Sequence, residues 1–278
     1  MKNRNAVSSL LLSALLVLSL ASGCGAGGKQ AQPNQQPNQQ PAQQGGAAGG
    51  GAKPKLIMAT SADYPPYEFH DTSGGNDVIA GFDIDIATYI AKEVGFDFEV
   101  KDMDFNGLLP ALQAKRVDFV MAGMTPKPER LANADFSEIY YEAKNTIVAK
   151  KGSNLTKPED LANKTVGVQL GSIQEGEAKE LATKIKGMQI KPLNKIAEII
   201  QELKSSRIDA AIIEDTVATG YVASNKDLAF NPIPQSGPAG SAVAFPKGSA
   251  YVGKFNDAIK KMKDSGELDK LIKKWFEK

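Results

Sequence analysis

The 278-residue chain balances 33 Lys and Arg against 32 Asp and Glu, so it has no basic surplus with which to neutralise a nucleic-acid backbone. One His and one Cys exclude a disulfide framework and a His/Cys zinc site, leaving only His70 for a catalytic triad and only Cys24 for a thiol nucleophile. Most metalloenzymes and nucleophilic hydrolases are thereby set aside, while the 42% hydrophobic content suffices for a core in each of two lobes.

Lys2 and Arg4 precede an almost unbroken apolar stretch, Val7 to Leu20, followed by Ala21-Ser22-Gly23-Cys24. A positive start, a short apolar run and small residues before a cleavage point make residues 1–23 a secretory signal peptide. The run is shorter than the ~20 residues that span a bilayer. The lone cysteine directly follows the small residues and resembles the lipobox of bacterial lipoproteins, with Ala21 where that motif most often has Leu. Cys24 is therefore the expected lipidation site and the first residue of the mature chain. Gly25 to Pro54 holds no aromatic residue and no aliphatic larger than Ala, too little apolar surface to offset chain entropy. Residues 24–54 are expected to form a disordered tether, spanning roughly 30 Å when flexible and about 90 Å when extended as polyproline II.

Beyond the tether, short apolar runs alternate with helical patterns. Residues 56–59 read as a buried strand, and Gly81-Phe82-Asp83-Ile84-Asp85-Ile86 leads into a helix. Ile86, Ile90, Ala91 and Val94 share one face of that helix, which stops near Gly95. Residues 96–100 alternate as a half-buried strand, followed by a helix at 108–115 and a strand at 117–121. The β-α-β-α-β rhythm predicts an α/β lobe with a mostly parallel sheet. It recurs with a strand at 165–168, helices at 175–185 and 196–205, and a strand at 208–212. Leu112-x-x-x-Arg116-Val117-Asp118 is echoed 91 residues later by Leu203-x-x-x-Arg207-Ile208-Asp209, which supports two similarly built lobes. Strand-like stretches at 145–149 and 241–245 are the candidate crossings, giving lobe 1 as 55–145 plus 242–278 and lobe 2 as 146–241. Two crossings make a hinge, and a cleft at a domain interface favours ligands. Helices at 250–263 and 267–276 close the pattern, with Trp275 expected as a docking residue.

The order and spacing of several motifs resemble the amino-acid-binding proteins of ABC importers, the solute-binding family 3 type, over essentially all of 55–278. They are Ser61-Ala62-Asp63-Tyr64-Pro65-Pro66-Tyr67-Glu68-Phe69, Gly81-Phe82-Asp83-Ile84-Asp85, Met103-Asp104-Phe105 and Ala122-Gly123-Met124-Thr125-Pro126-Lys127-Pro128-Glu129-Arg130. Val166-Gly167-Val168-Gln169-Leu170-Gly171-Ser172 and Lys273-Lys274-Trp275-Phe276 complete the set. Within that family the chain resembles arginine-binding lipoproteins of Gram-positive bacteria. The resemblance implies a two-lobed fold of the type II periplasmic-binding-protein kind, joined by two crossing strands, with the ligand between the lobes.

A free amino acid presents a carboxylate and an ammonium, and a desolvated site must satisfy both. Arg130 can pair bidentately with the carboxylate, beside the backbone and hydroxyl groups of Ala122, Gly123, Met124 and Thr125; read without the family it is a solvated residue at a helix start. Gly171-Ser172-x-x-Glu175 is a capping box, whose free N–H groups at Ser172, Ile173 and Gln174 suit an anion or belong to an ordinary cap. Glu214 and Asp215 end a strand where open α/β sheets place ligands. Glu214 aligns with the family's usual Asp for the ammonium, and Asp215 equally suits a helix cap. Tyr64 and Phe105 correspond to the family's aromatic pair, which offers cation–π attraction of about 0.5–2 kcal/mol to a guanidinium. Ser61 stands where relatives for basic ligands often carry Asp, leaving Asp63 and Gln169 as polar partners for a distal group and Glu68 and Glu142 as poorer ones.

The implied function is capture of a polar or basic L-amino acid, arginine first, for an ABC permease and its ATPase subunit. The protein is expected to be monomeric, lipid-anchored on the extracytoplasmic face of the membrane, and without cofactor, metal or nucleic acid. Glutamine, cystine and other polar amino acids remain open as ligands. The alternative of another class is an enzyme similar to cyclohexadienyl dehydratases, which needs a general acid in the cleft.

Overall fold

The computed structural model describes residues 52–234, 237 and 239–277; the signal peptide, Cys24 and the tether lie outside the described residues. The chain first builds β1 (Lys55–Thr60), β2 (Asp63–Tyr64), β3 (Glu68–Asp71), β4 (Val78–Ala80), α1 (Phe82–Val94), β5 (Asp97–Asp102), α2 (Leu108–Gln113), β6 (Phe119–Val120), α3 (Pro128–Leu131) and β7 (Asp135–Phe136). Next come β8 (Asn145–Lys150), β9 (Thr165–Gln169), α4 (Ile173–Lys184), β10 (Gln189–Leu193), α5 (Ile196–Lys204), β11 (Ala210–Glu214), α6 (Asp215–Ser224) and β12 (Leu228–Pro232). β13 (Ala244–Phe245), α7 (Tyr251–Asp264) and α8 (Glu267–Phe276) follow.

These strands form two five-stranded sheets, β5-β1-β6-β13-β7 and β10-β9-β11-β8-β12, and a small antiparallel sheet, β2-β3-β4. Each large sheet has a parallel side, β5-β1-β6 or β10-β9-β11, continued by antiparallel strands. α1 shows why the periodicity is readable: it buries Ile86, Ile90 and Ala91 and ends at Gly95, whose φ of 86° supplies the left-handed cap. α7 covers the same core with Phe255, Ala258, Ile259 and Met262.

The 91-residue echo has a common structural basis. Asp118 donates its N–H to Ile57 O (2.8 Å) and accepts the Ile57 N–H on Oδ2 (2.7 Å), while Asp209 makes the same two bonds with Thr165, both at 2.8 Å. Three residues before each Asp stands a left-handed residue, Lys115 (φ 54°) and Ser206 (φ 57°). Each Asp thus ties the start of one parallel strand to the start of its neighbour. That turn takes up the residues leading into both strands, so the regular segments are Phe119–Val120 and Ala210–Glu214 rather than 117–121 and 208–212. α4 starts at Ile173, two residues before the expected helix, because Ser172 caps it.

The sheets are joined through residues 137–144 and 233–243. These segments meet where Tyr141 bridges Ser241, with the Ser241 N–H donating to Tyr141 O at 2.7 Å. β8 lies wholly in the second sheet and β13 in the first, so the joining segments precede both strands. Trp275 docks α8 onto α1, its Nε1 donating to Asp85 at 2.7 Å.

Candidate ligand-binding site

The carboxyl ends of the parallel strands from both sheets converge on one cleft, the usual place for a ligand in open α/β sheets. It holds about 270 Å³ of empty space, solvent at its mouth included. Tyr64, Phe105, Ala122, Gly123, Thr125 and Arg130 line it from the first lobe, and Gln169, Ser172, Ile173, Gln174 and Glu214 from the second. All are residues the sequence nominates.

Arg130 is set by the short helix α3, which opens with Pro128 at a first-turn position where the missing N–H costs nothing. Its Nη1 donates to Thr125 O (2.8 Å) and its Nη2 to Gly171 O (2.9 Å), across to the other lobe. The guanidinium carbon lies 5.3 Å from the Phe105 ring centroid. Burial lowers the Arg130 pKa to about 10, leaving a cation at neutral pH that forms no ion pair among the described residues.

Across the cleft, Glu214 ends β11. It accepts hydrogen bonds from the Tyr67 hydroxyl and from Thr216 Oγ1 (2.6 Å), with the Tyr64 hydroxyl 3.5 Å away. Burial raises its pKa to about 7, against the lowering effect of Thr216 and Tyr67. Glu214 likewise forms no ion pair among the described residues. A buried cation and a buried acid therefore face one small cleft, each without a countercharge from the protein.

Ser172 caps α4 by accepting the Glu175 N–H at 3.1 Å, as the sequence predicts. The reciprocal arm differs: Glu175 accepts from Gly171 N (2.7 Å), while the Ser172 N–H turns back to Gln169 O. Ile173 and Gln174 begin the helix, where N–H groups have no intrahelical acceptor. The Gln174 side chain is held by Asn145 (2.8 Å), and the Gln169 amide donates to Asn194 O (3.3 Å), so its oxygen is the group left to accept.

Ser61, Asp63, Met124 and Asp215 are not among the lining residues. The Asp63 carboxylate accepts from Ile196 N at 2.6 Å and from Ser61 Oγ at 3.0 Å, so it is turned to the start of α5 rather than towards a ligand's distal end. Met124 belongs to the apolar core around Phe105, Leu108 and Leu112. Asp215 is the first residue of α6 rather than its N-cap, which is Glu214, and its carboxylate accepts the N–H groups of Lys144 (3.2 Å) and Thr216 (2.8 Å). Glu68 is fully buried and Glu142 is exposed. Tyr67 and Thr216, which hold Glu214, are the residues sequence reading passes over. Tyr67 lies within the quoted Tyr64-Pro65-Pro66-Tyr67 run, and its ring stacks on Tyr64 at 5.6 Å.

Residues 56–278 match the family model described as bacterial extracellular solute-binding proteins, family 3. The chain belongs to that family. It is 53% identical over 226 residues, 81% of its length and 87% of the relative's, to the arginine-binding extracellular protein ArtP of Bacillus subtilis. Two solved structures of an ancestral arginine-binding protein, one with arginine and one with glutamine, each share 40% identity at a TM-score of 0.75. They cover 81% and 82% of this chain respectively, and all of their own. The two lobes are those of a type II periplasmic-binding-protein fold, and the protein is a solute-binding protein.

Proposed function

We propose that this protein captures L-arginine outside the cytoplasm and delivers it to an ABC permease driven by its ATPase subunit. The supporting observation is the pair of uncompensated buried groups, Arg130 and Glu214, on opposite sides of one cleft. An α-carboxylate against Arg130 and an α-ammonium against Glu214 satisfy both, and the α4 N-terminus adds N–H donors for the carboxylate. The Tyr64 ring, stacked on Tyr67 on one side, the Phe105 ring, which Arg130 also approaches, and the Gln169 oxygen are the groups for a planar cation. The same complementarity, which holds an intact amino acid, favours a binding protein over a dehydratase. Cys24 carries the lipid anchor, and the monomer works at the extracytoplasmic membrane face.

Glutamine is the second reading, and one observation favours it. Asp63 already has two hydrogen-bond donors away from the cleft, so a neutral side chain there leaves no buried acid stranded. Competition against labelled arginine on the mature protein separates the readings. Arginine is expected to outcompete lysine, with glutamine weaker still; glutamine or cystine displacing arginine at equal concentration overturns the arginine assignment. A thermal-shift panel of the twenty amino acids tests the wider reading, since a ligand at 100 times its Kd stabilises by about 2.7 kcal/mol.

A further inference from the structure

Beneath the cleft lies an acidic cluster that the ligand reading does not use. Glu68, on β3, is fully buried, and neither carboxyl oxygen finds a hydrogen-bond donor in the protein as it stands. The charged groups facing it are all acids: Asp83 from α1, in side-chain contact with it, then Asp63 from β2 and Glu214 from β11. The phenols of Tyr64 and Tyr140 complete its titratable surroundings. Asp83, also fully buried, is better supplied. It accepts from Gly123 N (2.9 Å) and from the Tyr140 hydroxyl (2.8 and 2.9 Å).

Two ionised carboxylates in contact, out of water and without a cation, each lose hydration and repel the other; one proton between them removes both penalties. We propose that Glu68 is a neutral carboxylic acid whose proton is donated to the Asp83 carboxylate, making Asp83 a three-donor anchor that fixes the turn at Gly123. Glu68 is thus a positioning residue, acting on the cleft through Asp83, and its role rests on the cleft being the ligand site. Burial first, then the Asp83 charge, hold the Glu68 carboxyl well above the ordinary range, and the Gly123 and Tyr140 donors, which Glu68 lacks, favour the charge on Asp83.

The anchored turn has little room to vary. Gly123 adopts a left-handed φ of 53°, and a Cβ there would come within 3.1 Å of the Tyr64 ring. Its N–H points to Asp83 and its neighbours Ala122 and Thr125 line the cleft, so the acid pair sets the height of the cleft floor under Tyr64.

Infrared difference spectra of ligand-free wild type minus Glu68→Gln at neutral pH should show the carbonyl band of a neutral carboxylic acid, shifting in D2O. A missing band overturns the shared proton. Glu68→Gln keeps a neutral donor and should leave Gly123 amide exchange and arginine affinity within threefold of wild type. Glu68→Leu removes the donor and should raise both the Gly123 exchange rate and the arginine Kd at least tenfold. Equal behaviour of the two variants overturns the positioning role. If Glu68→Leu does not fold, the wild-type band and the Gln variant's exchange rate decide the matter. Failure of every amino acid to bind would count against the ligand reading while leaving the band and the exchange rates informative.

Discussion

Arg130 and Glu214 carry opposite charges into the same cleft, and burial moves their pKa values towards each other, to about 10 and about 7. Removing one partner of a desolvated ion pair costs about 3–5 kcal/mol, because the other charge stays buried and unpaired. Calorimetry on Arg130→Ala should therefore show more than a hundredfold loss of arginine affinity with the fold intact. A loss below threefold would mean that the guanidinium serves only Thr125 and Gly171. The Glu214 shift has a definite sign. Its folded-state pKa is raised, so the stability of its neutral form is complete below the unfolded value of 4.5 and lost as pH rises through about 7. An ammonium ligand needs the ionised form, so binding near neutrality should release a proton, and affinity should fall as pH drops below about 7. Titrations in two buffers of different ionisation enthalpy measure that release. Identical heats would place the ammonium elsewhere.

At the level of elements, α5 is capped partly from outside itself: Glu198 of its own first turn accepts the Lys195 N–H at 3.4 Å, and the next N–H is taken from elsewhere. Lys195 at its N-cap offers no side-chain bond, and the acceptor for the Ile196 N–H is Asp63 from the other lobe. The Tyr221 hydroxyl donates to the Asp63 backbone oxygen at 3.1 Å, a second tie between the same two regions. Losing a helix cap costs about 0.5–2 kcal/mol, and here the loss falls on the contact between the lobes rather than on one lobe alone. Asp63→Ala should weaken arginine and glutamine by the same factor, two- to thirtyfold in competition binding; a loss confined to arginine would return Asp63 to the ligand's distal end. The sequence revealed the periodic elements and the cleft residues at strand ends, because apolar spacing and strand-end polar groups are local patterns. It did not reveal Asp63's direction, since the facing of a short extended segment is set by the turn before it, where Asp63 N–H bonds Ser61 O. Nor did it reveal Tyr67 or Thr216, whose importance comes from Glu214, far away in sequence and adjacent only after folding.

For the whole molecule, the two lobes meet tightly at Gly171 and Asn106. Gly171, at φ 78°, lies so close to Asn106 that a Cβ would meet its Cβ at 3.2 Å and its Cα at 3.3 Å. Gly171→Ala should therefore hold the lobes apart and disturb the left-handed turn beside Arg130. Small-angle scattering should show wild type compacting on arginine and the variant compacting less, with weaker binding. Equal compaction would mean that the contact yields without resistance. The strand order carries a further consequence, for the timing of folding. All five strands of the second sheet lie between residues 145 and 232, so that sheet can assemble as soon as its own stretch has been made. The first sheet begins earlier in the chain, yet β13 is inserted between β6 and β7 and arrives only with residues 244–245. During N-to-C synthesis the lobe that starts first must finish last: β6 can pair with β1 but keeps its other edge open, and β7 waits unpaired, while more than a hundred residues are added before β13.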